Sequence, residues 1–509
     1  MFEGQPKGLF TLALANTGER FGYYTMLAVF VLFLQENFGL SAAAAASFYS
    51  TFLMFVYLLP LFGGILADKF GYSKMVTLGI VVMFLGYLLL AIPAGAGTLA
   101  YVFMIAALAM VAMGTGLFKG NLQVMVGNLY DEPKYSHLRD SAFSIFYMAI
   151  NIGALFAPSA AVELMRWAQD SLGATVADSY HYAFGVACLS LVVSIAIYHF
   201  GRPTFAQVLK ADNKKDDSTT EDKGEELTPA QTKERVIALC LVFAVVIFFW
   251  MAFQQNGLTL TYFARDYVET SSTGAPSMMF NVWNLVLILI GEYALISLFQ
   301  SKKSKSKIIS VAVIAAAAGV LVYQYTNLAA STSVDAPIFQ QFNPFFVIAL
   351  TPMILALFSM LNKRNLEPSA PKKIGIGMII AALGFMVISL GCFGLDNPNT
   401  QVAGIKAGAE VTRVSASWLV STYLVLTFAE LFLSPMGISF VSKVAPPKMK
   451  GMMMGGWFVA TAAGNWLTFI PAMIWGNYSL IIVWGLLIFL CLISAIFIFS
   501  ILKRLEKVC

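Results

Sequence analysis

The chain has 509 residues, of which 59% are hydrophobic and 12% charged, and its net charge is +5. Soluble domains run near 45–50% apolar and about 25% charged. A mean hydropathy of +0.77 therefore excludes a soluble globular protein and indicates a polytopic membrane protein, with no nucleic-acid partner expected.

Apolar runs predict fourteen spanning helices, at 9–35, 47–67, 75–93, 99–125, 141–162, 181–200, 236–262, 280–300, 308–326, 343–362, 374–394, 415–441, 451–474 and 479–502. Each reaches or approaches the ~20 residues that cross a hydrocarbon core. The first carries Asn16-x-x-Glu19-Arg20-Phe21-x-Tyr23-Tyr24, too polar for a cleavable signal peptide. Charges at bilayer depth face protein or water, not lipid. Asn16, Glu19, Arg20, Tyr23 and Leu27 recur at helical spacing, so this face is the expected wall of a solute pathway.

Between spans two and three stands Gly63-Gly64-x-x-Ala67-Asp68-Lys69-Phe70-Gly71, read as a short charged turn. Span four contributes Phe118-Lys119-x-Asn121, and span five Phe146-Tyr147-x-x-Ile150-Asn151-x-Gly153. A hydrophilic stretch at 201–235, including the run from Lys210 to Asp217, separates a six-span unit (1–200) from an eight-span unit (236–509). Within the second unit, 280–326 reads as an inserted hairpin turning at Ser301-Lys302-Lys303-Ser304-Lys305. Its Glu292 is expected to anchor the hairpin by packing. Removing the hairpin leaves six plus six spans, the pattern of a transporter with a midplane site between two halves.

With both termini inside, only Arg166, Arg265, Lys406 and Arg413 fall outside, and Arg20 and Lys119 lie within spans. The positive-inside rule therefore gives an N-in, C-in topology. Cys188, Cys240, Cys392, Cys491 and Cys509 lie in spans or at the C-terminus, so no structural disulfide or metal spacing is expected. No nucleophile–base set appears, so neither enzyme activity nor a cofactor is expected.

The turn at 63–74 resembles the loop motif of the major facilitator superfamily, which points to Gly64, Asp68 and Gly71 as a gating element. Glu19-Arg20-Phe21-x-Tyr23-Tyr24 resembles the first-helix motif of the proton-dependent oligopeptide transporter family, and Phe146 to Gly153 resembles its second motif. Phe118-Lys119-x-Asn121 is similar to a further element, with Gly120 in place of proline. Asn343-Pro344, Glu430-x-x-x-Ser434-Pro435-x-Gly437, Gly456-Trp457 and Gly464-Asn465 extend the likeness through the second half. The resemblance implies an all-α major facilitator fold. It also implies substrate contacts from Glu430, Asn151, Asn343, Tyr23, Tyr24, Tyr57, Tyr147, Lys119 and Trp457.

The residues support this independently. Glu19, Arg20, Lys119 and Glu430 sum to zero charge inside the spans, and Arg20 and Lys119 are both expected to reach Glu19. Glu430 has no basic partner in its own half and suits a substrate ammonium. Glu19, Arg20, Lys119 and Glu430 are the expected coupling set.

Three departures bear on mechanism: Asn16 and Gln254 stand where the family has or often has Glu, and Leu27 where it usually has Arg. The hairpin falls between core spans seven and eight, whereas bacterial relatives usually carry theirs between six and seven. The expected function is import of di- or tripeptides, or related amine-bearing solutes, by alternating access with H+ as coupling ion. The rivals are a non-proton-coupled facilitator of a non-peptide solute and a non-transporting membrane nutrient sensor. A monomer in a bacterial inner membrane is expected.

Overall fold

The computed structural model describes residues 4–212 and 227–508. The central part of the expected linker, 213–226, and Cys509 lie outside the described residues. The first half comprises α1 (Lys7–Phe38), α2 (Ala42–Phe70), α3 (Tyr72–Ala91), α4 (Thr98–Asn128), α5 (Arg139–Leu172), α6 (Val176–Phe200) and the short α7 (Ala206–Asp212). The second begins with α8 (Pro229–Phe253), which passes through a 3-10 turn, Gln254–Gly257, into α9 (Thr259–Tyr267). The hairpin is α10 (Val282–Gln300) and α11 (Ser304–Thr326), followed by α12 (Phe342–Lys363), α13 (Ala370–Leu390) and the short α14 (Pro398–Lys406). The chain closes with α15 (Ala416–Val444), α16 (Lys450–Leu467), α17 (Phe469–Ile474), α18 (Leu480–Ser500) and α19 (Leu502–Glu506).

Local chemistry sets the ends. Thr228 and Gln231 form a reciprocal capping box at α8, with Pro229 in the first turn, where a missing N–H costs nothing. Gly71 alone separates α2 from α3, at φ 95°, a left-handed conformation that a side chain would strain.

Among the described residues, thirteen helical stretches are long and apolar enough to cross a membrane. The 32-residue α1 is the further helix of membrane length, and its polar centre lowers its hydropathy. It packs along α5 and α6, where protein rather than lipid surrounds Glu19 and Arg20.

Helices α1–α6 pack on one another, and α8, α12, α13, α15, α16 and α18 form a second bundle. Glycines bring backbones together in the first. A Cβ on Gly79 would lie 2.7 Å from the Gly114 carbonyl, and the Asn121 amide donates to the Gly63 carbonyl at 3.1 Å. The hairpin packs chiefly on itself and touches α12 and α5. Only 22% and 11% of its two apolar windows are buried, which places it at the periphery. Its flanking loops are clamped by a two-residue antiparallel ladder, Ser271–Ser272 with Thr332–Ser333. The bundles meet where α2 crosses α16 and α17, and where α5 crosses α12 and the 3-10 turn Ala336–Gln341.

Candidate functional site

At the centre of the first bundle, Glu19 is 0% and Arg20 3% exposed. The guanidinium forks onto its neighbour, Nε to Oε2 at 2.5 Å and a terminal nitrogen to Oε1 at 2.6 Å. Both carboxylate oxygens are thus taken, the arrangement in which a buried ion pair is tolerable. The expected Lys119–Glu19 contact is not formed. Lys119 instead places Nζ over the Tyr57 ring, 4.1 Å from its centroid, within electrostatic reach of Arg20 and Glu19. The physical reason is that Arg20 has already satisfied Glu19.

The expected cavity face of α1 is likewise corrected. Asn16, Glu19, Arg20, Tyr23 and Leu27 are all buried, with Leu27 inside the apolar core. Phe21 and Tyr24 are the half-buried residues of that turn, so the solvent-touching edge of α1 lies beside the predicted face. Arg20 covers the Tyr23 ring at 4.7 Å, and Tyr23 meets Tyr24 edge to face.

In the second bundle Glu430 sits at the middle of α15 and remains half-buried. The Asn343 amide from α12 donates to its Oε2 at 2.9 Å and reaches the Thr427 hydroxyl at 3.2 Å. Among the described residues, no Lys, Arg or His lies within ion-pair distance of Glu430. Its charge is felt across the interface at Tyr24, Tyr57 and Tyr147. Tyr147, 41% exposed, is the most open of these aromatics, and Asn151, one turn on, is buried and donates to the Tyr147 carbonyl. The fold therefore brings Glu430, Asn343, Tyr24, Tyr57, Tyr147 and Lys119 to one interface between the bundles.

Other expected residues lie elsewhere. Trp457 is 3% exposed, and its ring fills the space where a Gly437 side chain would stand. It is a packing residue joining α16 to α15, and the absent Cβ of Gly437 is what admits it. Gly64 and Asp68 belong to the last turns of α2, so Gly71 alone forms the turn. Asp68 accepts from the Tyr72 hydroxyl, and Gly63 rather than Gly64 makes the close helix crossing. Glu292 keeps a buried oxygen without a hydrogen-bond partner.

Two features escaped the sequence reading. Span 236–262 is broken at Gln254–Gly257, and span 451–474 at Thr468. Buried Gln255 ties the breaks together, donating to the Met251 and Thr468 carbonyls at 3.0 Å each. The signal was Gln254-Gln255-Asn256-Gly257, four non-apolar residues in an otherwise apolar run, ending in the poor helix formers Asn and Gly. At the end of the bundles where α1 turns into α2, hydrogen bonds cross the interface. Arg166 pairs with Asp335, Ser159 donates to Gln341 at 2.7 Å, Arg265 to Gln35 at 2.6 Å, and Tyr262 to the Ala42 carbonyl at 3.0 Å.

The family model described as the POT family matches residues 73–222 and 306–478, more than half of the chain. The chain belongs to the POT family. The di-/tripeptide transporter of Lactococcus lactis subsp. lactis is 28% identical over 499 residues, covering 91% of this chain and 88% of that protein. Dipeptide and tripeptide permease A of Escherichia coli is 26% identical, covering 91% and 83%. A crystal structure of a POT peptide transporter in complex with sulfate superposes with a TM-score of 0.73 at 23% identity, covering 100% of this chain and 96% of that one. A POT family transporter in complex with 5-aminolevulinic acid gives 0.71 at 20% identity, covering 100% and 98%. This POT protein thus has the nearly all-helical major facilitator fold expected from its motifs.

Proposed function

We propose that this POT protein is a secondary transporter that imports di- or tripeptides, or closely related amine-bearing solutes, by proton-coupled alternating access. The observation that carries the reading is Glu430, a carboxylate at the middle of α15 whose hydrogen-bond partner, the Asn343 amide, is neutral. A substrate ammonium supplies the missing charge, and a hydrogen bond to a charged group contributes about 1.5–3 kcal/mol. Lys119 is the cavity cation left over once Arg20 is committed to Glu19, and it is the candidate partner for a substrate carboxylate. Family membership and the names of the relatives support the same substrate class.

In this reading, residues 1–200 and 236–509 rock against each other around the site, and the hairpin 280–326 rides on the second half. With the termini in the cytoplasm, the ties at Arg166–Asp335, Ser159–Gln341 and Tyr262–Ala42 lie on the outer side. The site then opens inward, where the substrate and the proton that entered with it are both released before the empty carrier resets. The protein acts as a monomer in a bacterial inner membrane, and Gly64, Asp68 and Gly71 serve the inner gate.

The test is uptake of a labelled dipeptide into proteoliposomes of the purified protein, with and without an inward proton gradient. Accumulation above equilibrium only with the gradient is expected. Uptake that equilibrates identically in both conditions replaces symport by facilitation, the reading that Asn16 and Gln254 favour. Absence of dipeptide uptake removes the peptide assignment.

A further inference from the structure

The hairpin lies at the periphery of the second bundle, and with α12 it frames an apolar groove of about 480 Å³. That lies within the ~300–1,000 Å³ of small-molecule sites. Its walls include Leu285 and Ile288 of α10, Val322 of α11, Phe345 of α12 and Met278 of the 3-10 turn Ala275–Phe280 before α10. Two polar side chains join this lining, Tyr325, which is 51% exposed, and Asn284, which is 2% exposed. Its amide nitrogen donates to the Met278 carbonyl at 3.0 Å, while Oδ1 is buried without a hydrogen-bond partner. A buried acceptor left unpaired is costly, so the groove carries an unmet demand for one donor.

The depth of that demand is marked on the hairpin itself. Trp283, 62% exposed, adjoins Asn284, and Tyr323 and Tyr325, 69% and 51% exposed, stand at the matching end of α11. Exposed aromatics of this kind collect at the headgroup level. The opposite tip carries Lys302, Lys303, Lys305 and Lys307. The 19 residues of α10 rise about 28 Å, close to the ~30 Å hydrocarbon thickness. Asn284 therefore sits at the headgroup boundary, and Leu285, Ile288 and Val322 line the way down into the acyl region.

We propose that this groove holds one acyl chain of a bilayer phospholipid whose headgroup donates an N–H or O–H to Asn284 Oδ1. The groove continues the lipid-facing surface formed by Ile288, Ile290 and Val322, each 44% exposed or more. A peptide laid there would strand its backbone groups against apolar walls, whereas a lipid chain brings no polar group below the headgroup.

The test is native mass spectrometry of the full chain released from nanodiscs containing equal phosphatidylethanolamine, phosphatidylglycerol and phosphatidylcholine with identical chains. Wild type is expected to retain one more lipid than Ile288→Trp or Val322→Trp, which fill the groove from opposite walls. Ile309→Trp, on an exposed position of α11 outside the groove, retains it. The retained lipid is expected to favour the two donor-bearing headgroups over phosphatidylcholine by about 2- to 10-fold, and Asn284→Leu abolishes that preference. Equal lipid retention in wild type and both groove-filling variants overturns the proposal, as does a wild type indifferent to headgroup. A lipid-free wild-type dimer that Ile288→Trp dissociates also overturns it and assigns the groove to a second copy.

Discussion

The centres of the two bundles solve the same electrostatic problem in opposite ways. In the first, Glu19 and Arg20 are adjacent, fully buried and mutually satisfied, so the pair is closed to any visitor. In the second, Glu430 is half-buried and held by the Asn343 amide, which is itself anchored on the Thr427 hydroxyl, so its charge is positioned but not neutralised. The difference teaches where a charged solute gains binding energy. Under the proposed function, a substrate gains nothing at Glu19, where the Arg20 fork is complete, and its ammonium would complete Glu430. Lys119, resting on an aromatic face rather than on a carboxylate, is the matching open cation of the first bundle.

The largest effect should follow from opening the closed centre. Glu19→Ala leaves a buried guanidinium unpaired, which costs about 3–5 kcal/mol. Thermal unfolding in detergent should show a large loss of Tm that Glu430→Ala does not match. Equal losses would mean that Glu430, too, belongs to a structural pair.

Leu27→Arg places a cation in the apolar core two turns beyond Arg20 on α1, and overpacking alone costs about 1–3 kcal/mol. Where the protein survives, uptake should shift toward dipeptides with a free C-terminal carboxylate over their C-terminal amides. An unchanged ratio would leave Lys119 as sufficient for that end of the substrate. Lys119→Ala asks the converse question. A cation–π contact is worth about 0.5–2 kcal/mol, so stability should change little, while binding of the free acid falls toward that of the amide. A variant that still prefers the free acid as strongly as wild type would remove Lys119 from carboxylate recognition.

The smallest effect lies outside the membrane. Glu367, in the loop between α12 and α13, accepts from Lys373 and from Asn362 at 2.6 Å, and these donors hold its carboxyl below the usual glutamate range. A carboxyl lowered in the folded state stabilises above its unfolded value of about 4.3, and the contribution fades as pH falls through the lowered value. Glu367→Gln should cost about 0.2–1 kcal/mol at neutral pH, and the gap to wild type should close in acid. A gap that widens as pH falls would reverse the sign.

The sequence carried the fold because its signals were long and redundant: apolar runs, basic loops and motifs spread over both halves. It carried Glu430 and Asn343 because ionisable and amide groups in apolar runs are rare enough to stand out. It failed where partners had to be chosen. Nothing local says that Arg20 takes both oxygens of its own neighbour and leaves Lys119 to Tyr57, nor that the face of Leu27 packs against protein. Trp457 read as a cavity aromatic because the fit of its ring to Gly437 is a contact between distant positions. The breaks at Gln254–Gly257 and Thr468 were hidden by hydropathy, which averages a few polar residues into the surrounding apolar run.

The central claim is that Glu430 is the open charge that recognises the substrate amine. It is tested most directly by titrating a dipeptide and its N-acetylated form against wild type and Glu430→Gln. The account predicts that wild type prefers the free amine. The variant should bind the free amine roughly 10- to 100-fold more weakly, the loss of one charge-assisted interaction, and bind the N-acetyl form as wild type does. A variant that retains wild-type affinity for the free-amine dipeptide would contradict it.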